Sequence, residues 1–527
     1  MLINYQKFIS GLLLVCFFIG CDPNLLETVP NDRISSEIFW QTEQDAVFAA
    51  NSVYLTLDGL NIVGYDGITD LVLTNRGFDA NVVIQRGQLS ADTGRFLNEW
   101  SSAYTGIRRA NDFLDNIDRV QGNIDTINRI TGEVMTLRAY HYIKLAMLFG
   151  DVPLITTGID ISEGKSLTRN SVNEVWDFIA LELDQAASML PWQNTQRVNR
   201  GTAYGLKARA MLYAGRYAEA AESAQNVIQS GEYDLYPDYY ELFQYNGQGN
   251  SEILLARERA RDFNAHNVYN ILAPWSQIPG ANGSTYVPTA AMIDKYEMDN
   301  GLPILHPESG YDPFNPYDNR DPRLYASVFL NNITEMPDGQ VYGTTPGSEG
   351  SDAVQITVYS TITGYNIRKY VAVEDYGNPG NSGLNTSLLR FAEVLLTYAE
   401  AKIEMNDIDQ SVYDAINRVR QRPTVEMPEV THATASSQNE LRELVRNERT
   451  VELAFEGFRL FDIRRWKIAE EVMPGIPQGI TYVVNGELRQ VEIPEREATF
   501  NSDRDYLWPI PIREIELNSN LTQNPGW

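Results

Sequence analysis

Apolar positions recur at helical spacing through most of the first 230 residues and again after residue 384; between these limits the period is lost. Thr42, with Asp45 three positions on, has the form of a capping box and predicts a helix that buries Val47, Ala50, Val53 and Tyr54. Asp58–Gly94 is Gly- and Asp-rich and carries no sustained period. From Phe96, a second helical face runs through Trp100, Ala103, Tyr104, Ile107, Asn111, Leu114 and Ile117. A third runs from Ile124 through Ile130, Leu137 and Leu148 and stops at Gly150, ahead of Pro153. Ser171 and Glu174 form an S-x-x-E box before Val175, Ile179, Leu183, Ala186 and Leu190, which Pro191 ends.

Ala203–Gln229 reads as two shorter helices broken at Gly215, and Gly215, Tyr217, Ala220 and Ala224 have the spacing of the second half of a tetratricopeptide repeat. A second such pair, Leu389–Met405 and Ser411–Gln421, lies far downstream. The stretch between is rich in Pro, Gly, Asn, Tyr and Asp, with strand-like runs at Glu252–Ala256, Ala326–Leu330 and Val354–Ser360. A hairpin is expected at Ile480–Val484 and Glu487–Ile493, turned by Asn485-Gly486. The pattern predicts a mainly α fold of stacked helix pairs. Its parts are an export segment (1–20), a helical region (21–230), a loop-rich insertion with short strands (231–383) and a C-terminal helical region (384–527).

The most strongly patterned stretch is Asn439–Trp466, read as a helix with Leu441, Leu444, Val445, Val451, Phe455 and Phe458 on one face. Glu448, Glu452 and Arg459 fall inside that face. Carboxylates on a buried stripe need partners, so these three are expected to form an internal ion-pair cluster rather than an acid–base pair.

Charge and cysteine content narrow the function. A net charge of −28 argues against a nucleic-acid partner, whose phosphates need a basic surface. The two cysteines, Cys16 and Cys21, both lie near the N-terminus, so the rest of the chain offers no disulfide or thiolate metal site. HExxH, Walker A and GxSxG patterns are missing, and the four histidines are scattered; no cofactor or metal is expected. The SxxK match at Ser162–Lys165 lacks its companion motifs, and Asp318, Asn319 and Asp321 suit a turn better than a calcium loop. Phe8–Ile19 is an apolar run preceded by Lys7, short of the ~20 residues of a membrane span and suited to an export signal. Phe18-Ile19-Gly20-Cys21 resembles a lipobox, with Phe18 in place of the usual Leu, which makes Cys21 the lipidation candidate and anchors the chain to a membrane.

Five further segments resemble, in order, the SusD/RagB outer-membrane nutrient-binding lipoproteins. They are Gly132-Glu133 with Leu137–Leu154, Arg320–Arg323 (RDPR), Leu388–Ala401, Asn447–Trp466 and Leu507–Trp527. The resemblance implies a SusD-like fold with tetratricopeptide-like pairs and an irregular lobe. It also implies residence on the outer membrane, facing the cell surface, and a TonB-dependent SusC-like transporter as partner. The ligand would be an oligosaccharide or related nutrient, held by loops and not cleaved. Peptide binding within the same family, or a surface glycan hydrolase of the same uptake system, are the alternatives.

Sugar rings present apolar C–H faces and hydroxyls, so a site needs aromatic platforms beside hydrogen-bonding groups. Among loop residues, Trp275 and Tyr286 in one segment and Tyr65, Phe78, Asp79 and Arg86 in another meet that description. Trp100, Trp176 and Trp466 lie in patterned helices and are expected in the core.

Overall fold

The computed structural model describes residues 39–278 and 283–527; the export segment and Cys21 lie outside them. Ten helices carry the architecture. They are α1 (Glu43–Tyr54), α2 (Gly94–Asn116), α3 (Ile124–Phe149), α4 (Val172–Met189) and α5 (Arg200–Tyr213). After these come α6 (Tyr217–Ser230), α7 (Phe391–Glu404), α8 (Gln410–Arg420), α9 (Gln438–Glu452) and α10 (Arg459–Arg465). The boxes at Thr42/Asp45 and Ser171/Glu174 cap α1 and α4 as the sequence predicts.

From α2 to α7 each helix packs on the next, and α7 also packs on α8 and α9. The array therefore runs from α6 straight into α7, although about 160 residues separate them in sequence. Those residues form the lobe. Strands β2 (Ile253–Arg257) and β6 (Thr386–Arg390) pair antiparallel and close its neck where the chain leaves and rejoins the array. Three other two-stranded antiparallel pairs occur among the described residues. Two are β1 (Val72–Thr74) with β3 (Tyr286–Pro288), and β4 (Val328–Phe329) with β5 (Asn366–Ile367). The third is the hairpin β7 (Gln478–Val484) and β8 (Glu487–Glu492), turned by Asn485 and Gly486 at positive φ. Val354–Ser360 is a series of turns, not a strand.

Two large apolar cores follow. One fills the array and includes Trp100, Trp176 and, from near the C-terminus, Trp508 and Ile510. The other fills the lobe and draws Leu71–Leu73 from before α2 and Ile480, Val491 and Ile493 from the late hairpin. No helix among the described residues is long and apolar enough to cross a membrane.

The stretch read as one helix from Asn439 to Trp466 is two. Phe455 (φ 65°) and Gly457 (φ 84°) take left-handed backbone after α9, and a Cβ on Gly457 would lie 2.7 Å from the Ile62 carbonyl oxygen. The break turns the Gly457 and Arg459 amides onto Asp66, donating at 2.8 and 3.1 Å. Apolar residues keep a spacing of three to four through this turn, so periodicity alone reads across it.

Glu448 and Glu452 lie buried on α9, at the neck. Glu452 accepts from Arg390 (2.6 Å), Arg422 (2.9 Å) and Arg323 (3.0 Å), and Glu448 pairs with Arg323 and, at 2.7 Å, Arg420. Arg390 also reaches Glu252 and Glu456, and Lys369 pairs with Glu456 at 3.0 Å. Arg459 stands apart from this network: it pairs with Asp70 at 2.7 Å, so the three-membered cluster expected from sequence is two separate sets. Burial works against ionised Glu452, but its three arginines outweigh it and hold the carboxyl well below the usual range; Glu448 and Glu456 are lowered the same way.

Asp66 goes in the opposite direction, pushed up to about 7 by burial against the pull of its two amide donors. The signs give a pH profile. Depressed carboxyls supply stability above their unfolded value of 4.5 that is lost as pH falls below it. Folded Asp66 keeps a proton that the unfolded chain has released, so its contribution declines as pH rises from about 4 to 7. Urea titrations across pH are expected to show both limbs. Asp66→Asn should flatten the limb between pH 5 and 7 and leave the acid limb in place; an unchanged neutral limb would remove Asp66 as its source.

Candidate functional site

Three loops meet at the end of the β1–β3 pair. The chain leaving β1 carries Asn75, Arg76 and Phe78, and the chain entering β3 follows the loop that holds Trp275; the Asn75 amide donates to the Thr285 carbonyl at 2.8 Å. The third loop, 357–362, is tied down by the Asn75 side chain. That side chain donates to the Ser360 carbonyl at 2.9 Å and accepts from the Ile362 amide at 3.0 Å. One asparagine thus fixes two loops against each other.

The rings on these loops form a shelf. Trp275 and Tyr359 stack with centroids 4.9 Å apart and planes at 22°, and both are only half-buried. The Arg76 guanidinium sits 5.3 Å from the Tyr359 ring centre and donates to the Gly283 carbonyl at 2.9 Å. Burial lowers the Arg76 pKa, partly offset by Tyr359 and Asp79. Trp275 is held at its base by a short 3₁₀ turn, Trp275–Gln277, whose Ser276 amide donates to buried Asp352 at 2.9 Å. On these same loops Phe78 is 86% exposed and Val358 75%, an apolar display that a surface tends to keep for a partner or ligand.

This arrangement offers a half-buried stacked aromatic pair with a cation over the Tyr359 ring, on loops tied together by the Asn75 hydrogen bonds. Such a surface can stack a pyranose ring and hydrogen-bond its hydroxyls. The sequence profile of the SusD family matches residues 251–527, more than half of the chain. The chain belongs to the SusD family. A second profile, described as starch-binding and associating with the outer membrane, matches residues 71–212.

A SusD-like protein of Formosa agariphila is 28% identical over 547 aligned positions, spanning 98% of this chain and 99% of that one. A crystal structure of a SusD-like carbohydrate-binding protein from Bacteroides fragilis superposes with a TM-score of 0.84 at 27% identity. It matches 92% of this chain and all of that one. Surface glycan-binding protein A from Bacteroides thetaiotaomicron, solved in complex with laminarihexaose, shares the fold, with a TM-score of 0.69 at 19% identity over 92% of this chain and 99% of that one. The two proteins of known structure are described as binding proteins.

The residues nominated from sequence scatter within this SusD fold. Trp275 is on the shelf, and Phe78 is on the loop beside it. Asp79 caps the short helix Ala80–Gln85, accepting from the Asn81 amide at 2.8 Å, and so is engaged locally. Arg86 ends that helix at its far side, where the Thr499 amide donates to its carbonyl. Tyr286 is half-buried, lying over Gly64 and Gly67; a Cβ at Gly67 would come within 2.6 Å of its ring.

Tyr65 must be withdrawn. It is 3% exposed, donates to Glu99 at 2.7 Å and packs on Phe461 and Trp508, so a surface ligand cannot reach it. Tyr65→Phe is expected to lower stability by about 1 kcal/mol through the lost hydrogen bond, with ligand retention unchanged. Thermal melts beside affinity gels check both halves. Tyr359 and Arg76 are the members that sequence reasoning missed. Reading Val354–Ser360 as a strand assigned Tyr359 to a sheet, whereas the Asn75 contacts that expose it are long-range.

Proposed function

We propose that this protein is a surface-facing, lipid-anchored nutrient binder of the outer membrane that captures oligosaccharide on the Trp275–Tyr359 shelf. It then delivers the ligand to a TonB-dependent, SusC-like transporter. The stacked Trp275–Tyr359 pair with Arg76 carries the reading, because a half-exposed aromatic face held by buried contacts suits a sugar ring. The lipobox at Cys21 supports the anchor, and the family's association with the outer membrane supports the site of residence. Binding without cleavage fits the way the relatives are described.

The test is calorimetric titration of the full mature chain against neutral polysaccharides, with a basic-peptide library beside it and an assay for new reducing ends. Binding of a glycan without new reducing ends is expected. Peptide binding alone would turn the reading to the other ligand class, and new reducing ends would make the protein a hydrolase. Cys21→Ala is expected to release the protein from the membrane fraction.

A further inference from the structure

A cavity of about 450 Å³ opens where the turn after α4 meets β2, β6 and the loop at 242–250, and it shares no lining residue with the shelf. Its walls hold an unusual set of polar atoms. Both amide atoms of Gln244 and the hydroxyls of Tyr370 and Ser387 have no hydrogen-bond partner among the described residues. Yet these side chains are 5%, 1% and 9% exposed. More than nine in ten buried polar groups in folded proteins find a partner, so three such side chains lining one cavity call for a cause.

Neighbouring polar groups are already committed. Asn199 accepts from Tyr233 and Thr202, and Gln248 accepts from the Asn385 amide at 3.0 Å. Arg197 is paired with Glu133. The unpartnered groups are neutral: one amide that donates and accepts, and two hydroxyls that can do either. The carboxylates that also line the cavity, Glu232 and Glu258, can accept from a hydroxyl and repel an anion. Burial holds the Tyr370 hydroxyl well above its ordinary pKa, so it stays protonated through the physiological range. Phe243 and Tyr233 add ring surface to the same walls. The volume lies within the ~300–1,000 Å³ of small-ligand sites.

The geometry points to this cavity as a second binding site, separate from the shelf, for a small neutral polyhydroxylated ligand, a mono- or disaccharide. The amide of Gln244 can bridge two adjacent hydroxyls, and Tyr370 and Ser387 complete the set. A free carboxylate on the ligand would find no unpaired cation there among the described residues, which selects against acidic sugars. The inference does not depend on the shelf and stands or falls apart from it.

Calorimetry on the full mature chain with glucose, galactose, mannose, xylose, cellobiose and maltose, and with glucuronate as the charged control, tests it. One neutral sugar or more is expected to bind one-to-one. Gln244→Leu and Tyr370→Phe should each weaken that binding roughly tenfold, and Trp275→Ala should leave it unchanged. Tyr370→Phe removes a single oxygen and keeps the packing, so it stays informative if Gln244→Leu fails to fold. The proposal is overturned if no neutral sugar binds, if glucuronate binds best, if both cavity variants bind as the wild type does, or if Trp275→Ala abolishes the binding.

Discussion

Arg390→Met is expected to destabilise the protein by roughly 3–5 kcal/mol, the loss typical of removing one partner from a buried ion pair. Arg390 is 1% exposed and donates to Glu252, Glu452 and Glu456 and to the Glu452 carbonyl. It sits where β6 runs into α7, at the neck between lobe and array. Methionine fills much of the space but leaves three carboxylates short of a donor in a site with little water. Arg422 remains for Glu252 and Glu452, Arg323 for Glu452 and Lys369 for Glu456, which keeps the loss from being larger. Equilibrium urea unfolding measures it, and hydrogen exchange should show protection falling in both the lobe and the array. A change below about 1 kcal/mol would mean that the network is not what joins them.

Trp275→Ala has the second large effect. Loss of the larger ring of the stacked pair should weaken glycan binding by about 2–3 kcal/mol, or about 30–100-fold, the scale of an aromatic hot spot. Trp275 is only half-buried, so the unfolding midpoint should move by less than about 2 °C. Tyr359→Ala should give a smaller loss of binding, roughly tenfold, because Trp275 keeps its own support from the Ser276–Asp352 contact. Equal losses of binding and of stability would instead make the pair a structural staple.

The array was legible in the sequence because its signals are local. Apolar residues three and four apart gave α2, α3 and α4, and the boxes at Thr42 and Ser171 gave two starts. Asn485-Gly486 gave the hairpin for the same reason. The need for cations beside Glu448 and Glu452 could be read from their place on a buried face. Which cations could not, since Arg323, Arg390 and the Arg420–Arg422 pair come from three separate places in the chain.

The candidate site was legible only in part, and the failures share a cause. Trp275 stood out as a large ring among Pro and Gly. Tyr65 stood in an equally irregular stretch, yet its ring lies in the array core against Trp508, a contact from the far end of the chain. Tyr359 owes its position to Asn75 across the lobe. Loop rings are buried or displayed by long-range contacts that have no period to detect.

Electrophoresis of the wild type and Trp275→Ala through gels containing a bound polysaccharide tests the central claim most directly. The wild type should be retarded, and the variant should migrate as it does without polysaccharide while keeping its unfolding midpoint. Equal retardation of the two proteins would place the binding surface elsewhere and contradict the account.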